Sequence, residues 1–130
     1  MLLLVDAGNT RIKWALVDAR AGWDALGRWS ACGSVTHAEA GMLAQIWRGL
    51  GVSRALLSNV AGAALRRNLE AALAAAGVPP AQIAWFASVL QLGGVRNGYR
   101  NPAQLGCDRF ASVIGAHALF PQQALIVATC

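Results

Sequence analysis

The stretch LLLVDAGNTRIKWALVD, Leu2 to Asp18, decides how the chain is read. Leu2 to Val5 is a continuous apolar run, as in a central strand covered on both faces. Beyond Asp6 the pattern changes to alternation. Ile12, Trp14 and Leu16 fall on one face of a second strand, and Arg11, Lys13 and Ala15 on the other. Between the two strands lies DAGNT, with Gly8, Asn9 and Thr10 as turn residues, so the pair reads as an antiparallel hairpin.

The pattern extends outward from there. A third strand is expected around WDALGRWSACG (23–33), weakened by Gly27. Leu43, Ile46, Trp47 and Leu50 recur at helical spacing with Gly51 as a stop. RALLSNV (54–60) is a short strand, and AGAALRRNLEAALAAAG (61–77) is a helix with Leu65, Leu69 and Leu73 stacked. Pro79 and Pro80 break the chain before a strand at IAWFA (83–87). A Gly-rich loop, QLGGVRNGYRNPAQLG (91–106), leads to a last helix with Phe110, Val113 and Ile114, and ALIVATC (124–130) reads as one further buried strand. The order βββαβαβα, with three antiparallel strands and helix-linked parallel ones, predicts an α/β fold. It is the layout of a ribonuclease-H-like lobe, as in the actin, hexokinase and heat-shock ATPase superfamily.

Composition narrows the function classes. The chain has 130 residues, 56% of them hydrophobic, which suits one domain or lobe with a real core and excludes a disordered segment. No apolar stretch is long enough for a membrane span, and MLLLV is too short for a signal peptide, so a cytoplasmic protein with no membrane partner is expected. Three widely spaced cysteines and two isolated histidines point to neither a disulfide framework nor a zinc site. The net charge of +5 comes from scattered arginines without aromatic interleaving, a surface that favours anionic ligands and does not read as a nucleic-acid groove. A nuclease would need several converging carboxylates, and the chain has six acids in all, four of them near turns or on exposed helix faces.

Two motifs carry chemistry. In DAGNT, Asp6 could hold Mg²⁺, while the backbone N–H groups of Ala7, Gly8, Asn9 and Thr10 approach a phosphate and Lys13 adds a point charge. An ordinary hairpin explains the same residues. In GYRNPAQLGCDR (98–109), Asn101 and Pro102 open a helical turn and Gly106 interrupts it, leaving Asp108 and Arg109 near the start of the long helix. The acid suits removal of a proton from an attacking alcohol, the guanidinium suits an anionic group, and Tyr99 could wall a small polar substrate. A surface ion pair at a helix start is the plain alternative.

DAGNTRIKWAL, SNV (58–60) and GYRNPAQLGCDR, in that order, resemble the type III pantothenate kinases. The resemblance implies ATP-dependent phosphorylation of pantothenate to 4′-phosphopantothenate, the first step of coenzyme A synthesis. It assigns Asp6 to Thr10 and Lys13 to the ATP phosphate and Mg²⁺ loop. Tyr99, Gly106, Asp108 and Arg109 go to the pantothenate site, with Asp108 as catalytic base. It further implies a homodimer and a monovalent cation, K⁺ or NH₄⁺, whose ligand acid is expected beyond residue 130. Residues 1–120 would then be the first lobe and 121–130 the opening strand of a second, and the fragment alone is expected to be inactive. The alternatives are another kinase of the superfamily, or a non-catalytic accessory factor in transcriptional regulation, a role once given to some relatives.

Overall fold

The structure, a computed structural model, describes residues 1–129. It has a mixed α/β fold. Five strands form one mixed sheet: β1 (Leu2–Ala7), β2 (Arg11–Val17), β3 (Ala31–Thr36), β4 (Arg54–Asn59) and β5 (Ile83–Trp85), in the spatial order β3-β2-β1-β4-β5. The hairpin-linked pairs β1–β2 and β2–β3 are antiparallel, and the helix-linked pairs β1–β4 and β4–β5 are parallel, as the connections predict. This arrangement is consistent with the actin and hexokinase-like ATPase fold.

The chain divides into two compact units, Met1–Phe86 and the segment from Ala87 onward. In the first, α1 (Leu43–Arg48) and α2 (Ala63–Ala75) pack with the sheet. Leu3, Val5 and Ala7 of β1, Ile12 and Leu16 of β2 and Leu57 of β4 meet Leu43 and Trp47 of α1 and Leu65, Leu69 and Leu73 of α2 in one buried cluster. The period-2 pattern of the strands and the i, i+4 pattern of the helices supply that face. Helix α2 ends where Gly77 takes a positive φ, which an L side chain resists; the N–H of Val78 then reaches the Leu73 carbonyl at 3.0 Å and buries Val78 against the same core.

Glu70 of α2 joins two further groups. The Trp85 indole N–H donates to Glu70 Oε1 at 3.1 Å, and Arg66 bonds the same oxygen at 3.1 Å while its guanidinium lies 4.4 Å from the centre of the Trp85 ring. The short β5 is thus tied to α2 by polar contacts as well as by the ladder.

Several sequence expectations need correction. Strand β1 is central but not covered on both faces: Leu2 and Leu4 are half-buried and Asp6 is exposed. The third strand lies later than expected. Residues Ala19–Ala25 form a 3-10 segment, capped by Asp18 and kinked at Gly22, and Trp23 is exposed there. The strand begins only at Ala31, where Gly33 lets the Trp14 indole lie across it: a Cβ on Gly33 would come within 2.7 Å of that ring. Strand β5 stops at Trp85, short of Phe86 and Ala87.

The second unit holds β6 (Gln91–Leu92), β7 (Val95–Arg96) and α3 (Cys107–Leu119). The two short strands form a hairpin inside what the sequence suggests is loop. Gly93 and Gly94 at its tip both have positive φ, the conformation of the tightest hairpin turns. Residues 124–129 are not a strand. Ile126 is 98% exposed, and among the described residues no strand supplies a ladder for this segment, so its apolar run alone does not make it β. Cys130, the last residue of that expected strand, lies outside the described residues.

Candidate functional site

The DAGNT turn closes the β1–β2 hairpin at the carboxyl end of the central strand. The N–H of Gly8 donates to the Arg11 carbonyl at 3.0 Å, leaving Asn9 and Thr10 exposed at the tip. Gly8 does not take positive φ, and a Cβ there would lie 3.4 Å from the Arg11 carbonyl oxygen, an ordinary contact, so neither strain nor crowding inside the hairpin demands glycine. Ala7 buries its methyl group in the core and gives its carbonyl to the N–H of Val60 at 3.1 Å. It belongs to the turn through its backbone alone.

Asp6 and Lys13 face each other directly across the antiparallel ladder, so both side chains rise from the same exposed face. On the other side of Asp6, the parallel partner β4 brings Ser58 alongside it, and Asn59 alongside Ala7. The SNV segment is held rigidly: Asn59 donates from Nδ2 to the Gly62 carbonyl at 2.9 Å and accepts from the N–H of Ala61 at 2.9 Å. Ends of adjacent strands in an open α/β sheet are a usual place for phosphate-bearing ligands.

His37 was not predicted to take part. It follows β3 immediately, and its Nε2 donates to the Gly8 carbonyl at 2.8 Å, bracing the turn from outside the hairpin. Arg11 is drawn the same way, with Nε on Ser34 Oγ at 2.7 Å. An isolated histidine has no sequence signal for such a contact, because the register of β3 with β2 creates it.

Next to His37, the Glu39 carboxylate accepts from the Thr36 N–H at 2.8 Å and from its hydroxyl at 2.9 Å. These bonds, the backbone one first, hold the carboxyl below its usual value of 4.5. A lowered folded-state value means stability present above the unfolded value and lost as pH falls through the folded one. Glu39→Gln is therefore expected to be less stable than the parent near neutral pH, with the difference in Tm shrinking as the pH is taken below about 4.5. A difference that stayed constant down to the acid limit would contradict the assignment.

The second motif builds its own site. Asn101 caps the 3-10 turn Pro102–Gln104 by accepting from the N–H of Ala103 at 3.2 Å, with Pro102 in the first turn as its sequence suggests. Gly106 then precedes α3, whose first turn carries Asp108 and Arg109. The Asp108 carboxylate folds back: Oδ1 accepts from the Arg109 N–H at 2.8 Å and lies 2.7 Å from where a Cβ on Gly106 would stand. A side chain at 106 would push the carboxylate out of this position. Asp108 and Arg109 form no ion pair with each other; the carboxylate sits on a first-turn N–H, as an acid that stabilises a helix start also would. Asp108 is half-buried, Arg109 is exposed, and Tyr99 is about half exposed.

The turn at Asp6 lies in the first unit, while Tyr99, Gly106, Asp108 and Arg109 lie in the second. As a donor set for a cation, Asp6 offers one exposed carboxylate. Among the described residues no three acid, histidine or cysteine side chains converge. Such a site fits Mg²⁺ taking its other oxygens from phosphate and water, as Mg²⁺ commonly does.

The family model for type III pantothenate kinase matches residues 2–130. The chain belongs to this family. It is 61% identical over 131 residues to the type III pantothenate kinase of Janthinobacterium sp. (strain Marseille), covering 100% of this chain and 50% of that protein. It is 60% identical over 131 residues to the type III pantothenate kinase of Herminiimonas arsenicoxydans, again covering 100% of this chain and 50% of that protein. With that of Aromatoleum aromaticum it shares 42% over 128 residues, 98% of this chain and 49% of the relative. The chain of this type III pantothenate kinase family member thus spans about half the length of the curated relatives it matches. No helix among the described residues is long and apolar enough to cross a membrane.

Proposed function

We propose that this type III pantothenate kinase family member serves the ATP-dependent phosphorylation of pantothenate to 4′-phosphopantothenate. The match of residues 2–130 to the family carries the proposal. Phosphoryl transfer asks mainly for alignment and charge neutralisation, with little covalent chemistry from the protein. In this reading the backbone of Ala7 to Thr10 and the ammonium of Lys13 receive the ATP phosphates. Asp6 would hold Mg²⁺, which when bound offsets negative charge on the transferred group. Arg109 binds the pantothenate carboxylate, Tyr99 and Gly106 border the substrate, and Asp108 accepts the proton of its primary hydroxyl. The geometry at Gly106 supports that last role: with Oδ1 on the Arg109 N–H, the carboxylate is held in one orientation and Oδ2 is left to accept.

The exposed Asp6–Lys13 pair at the end of the central strand supports the phosphate-loop reading over a plain hairpin, since an acid and a cation there face the same open side. The finer architecture follows the same line. Residues 1–120 are the first ribonuclease-H-like lobe of the superfamily, and 121–130 lead into a second. The enzyme works in the cytoplasm as a homodimer and uses K⁺ or NH₄⁺ as well as Mg²⁺. Pantothenate-dependent ADP release by the complete reading frame, with Mg²⁺ and K⁺ or NH₄⁺ supplied, is the test. Activity on pantothenate and not on a panel of sugars and short acids is the expected outcome. Silence in a verified folded protein would overturn the reading and bring the regulatory accessory role forward.

A further inference from the structure

One buried polar side chain of the second unit has no part in the roles given so far. Asn97 is 5% exposed, and its N–H and both polar atoms of its side chain have partners. Its N–H donates to the Leu90 carbonyl at 2.8 Å, its Nδ2 donates to the Pro102 carbonyl at 3.0 Å, and its Oδ1 accepts from the Tyr99 N–H at 3.1 Å. The partners fix which way round the amide sits: a proline carbonyl can only accept and a backbone N–H can only donate. An unbonded buried amide is costly, so the side chain is locked in this arrangement.

The two side-chain bonds close a short loop. Gly98, Tyr99, Arg100 and Asn101 lie between the ends of the clamp, and Pro102 opens the turn that leads through Gly106 to Asp108 and Arg109. The Tyr99 ring is half exposed, so packing does little to hold it. Its backbone is held by Asn97.

We propose that Asn97 is a positioning residue for the acceptor substrate, fixing Tyr99 relative to the segment that carries Asp108 and Arg109. It rests on the pantothenate reading of those three residues. Aspartate at this place would keep the bond from the Tyr99 N–H and turn an oxygen toward the Pro102 carbonyl, where the two would repel. The clamp would open on one side only. Displacements of about 1 Å in a substrate-aligning group cost on the order of 10²-fold. A loosened clamp is expected to fall somewhat short of that.

The test uses the complete reading frame. Asn97→Asp is expected to raise the KM for pantothenate about 10-fold or more, with the KM for ATP changed by less than about 2-fold. In a Tyr99→Ala background the same substitution is expected to add less than about 2-fold, because the residue it acts through is gone. Equal shifts in both KM values, or additive effects in the double variant, overturn the proposal. A parent without pantothenate-dependent ADP release overturns the underlying pantothenate reading instead. Hydrogen exchange on the unmutated protein is independent of how the variants fold. The Tyr99 amide is expected to be protected in the free protein, and exchange at the rate of an open loop until pantothenate is added would equally overturn the clamp.

Discussion

Asn in place of Asp108 is expected to lower kcat about 100-fold or more, with a much smaller change in pantothenate affinity, in line with general-base contributions. The substitution keeps shape and one oxygen, so the bond from the Arg109 N–H at 2.8 Å and the fit beside Gly106 are retained. What it removes is the ability to take a proton. If Arg109 binds the substrate carboxylate as proposed, that binding energy is untouched, which is why the loss belongs in turnover. Steady-state kinetics together with calorimetric binding of pantothenate separate the two. Losses of equal size in affinity and turnover would show that Asp108 holds substrate and does not accept its proton.

The second large effect concerns the fold. Trp47 of α1 is fully buried in the core cluster it shares with residues of the sheet and α2, and Trp47→Ala is expected to destabilise the chain by about 3–5 kcal/mol, as for other large-to-small changes in a packed core. The indole Nε1 has no hydrogen-bond partner among the described residues. Its volume, then, and not a polar contact, holds the site. Trp47→Phe is therefore expected to retain most of the stability, since it keeps a ring and removes a buried donor that is unsatisfied. Urea titration of the two variants decides between these accounts. If Phe costs as much as Ala, the nitrogen matters after all.

Where local pattern and tertiary context agree, the architecture was legible in the chain itself. The apolar run of β1, the alternation of β2 and the helical spacing of Leu43, Ile46 and Trp47 each state their element, although α1 ends at Arg48, before the expected Leu50 and the stop at Gly51. Short connections fix antiparallel neighbours, and helical ones fix parallel neighbours. The reading failed where composition imitates a pattern that partners must supply. Trp23 sits among residues that resemble a strand, yet the Asp18 cap and Gly22 turn that segment into 3-10 structure. The run from Ala124 to Thr129 has strand composition without a ladder.

The site divides in the same way. Asp6, Lys13 and Asp108 stand out as charges at the ends of predicted elements, and Gly106 as a break before a helix. His37 and Asn97 do not stand out, because their value lies in contacts with Gly8, Tyr99 and Pro102 that only the folded backbone brings about. One signal was available and unused: the Gly93-Gly94 pair between short apolar-containing segments marks the β6–β7 hairpin.

The parallel pairing of β1 with β4 also sets an order of events during synthesis. The β1–β2 hairpin can form within microseconds of leaving the ribosome, on the order of 1–10 μs. The partner on the other side of β1, β4, emerges in full roughly forty residues after β2 is complete, and at ~5–20 residues per second that delay is about two to eight seconds. Through that interval the strand that will lie in the middle of the sheet is an open edge, with Leu3 and Val5 uncovered. The nascent chain is most vulnerable to sticking to its neighbours at the very element that later becomes the centre of its sheet, and slower translation ahead of Arg54 would lengthen that exposure.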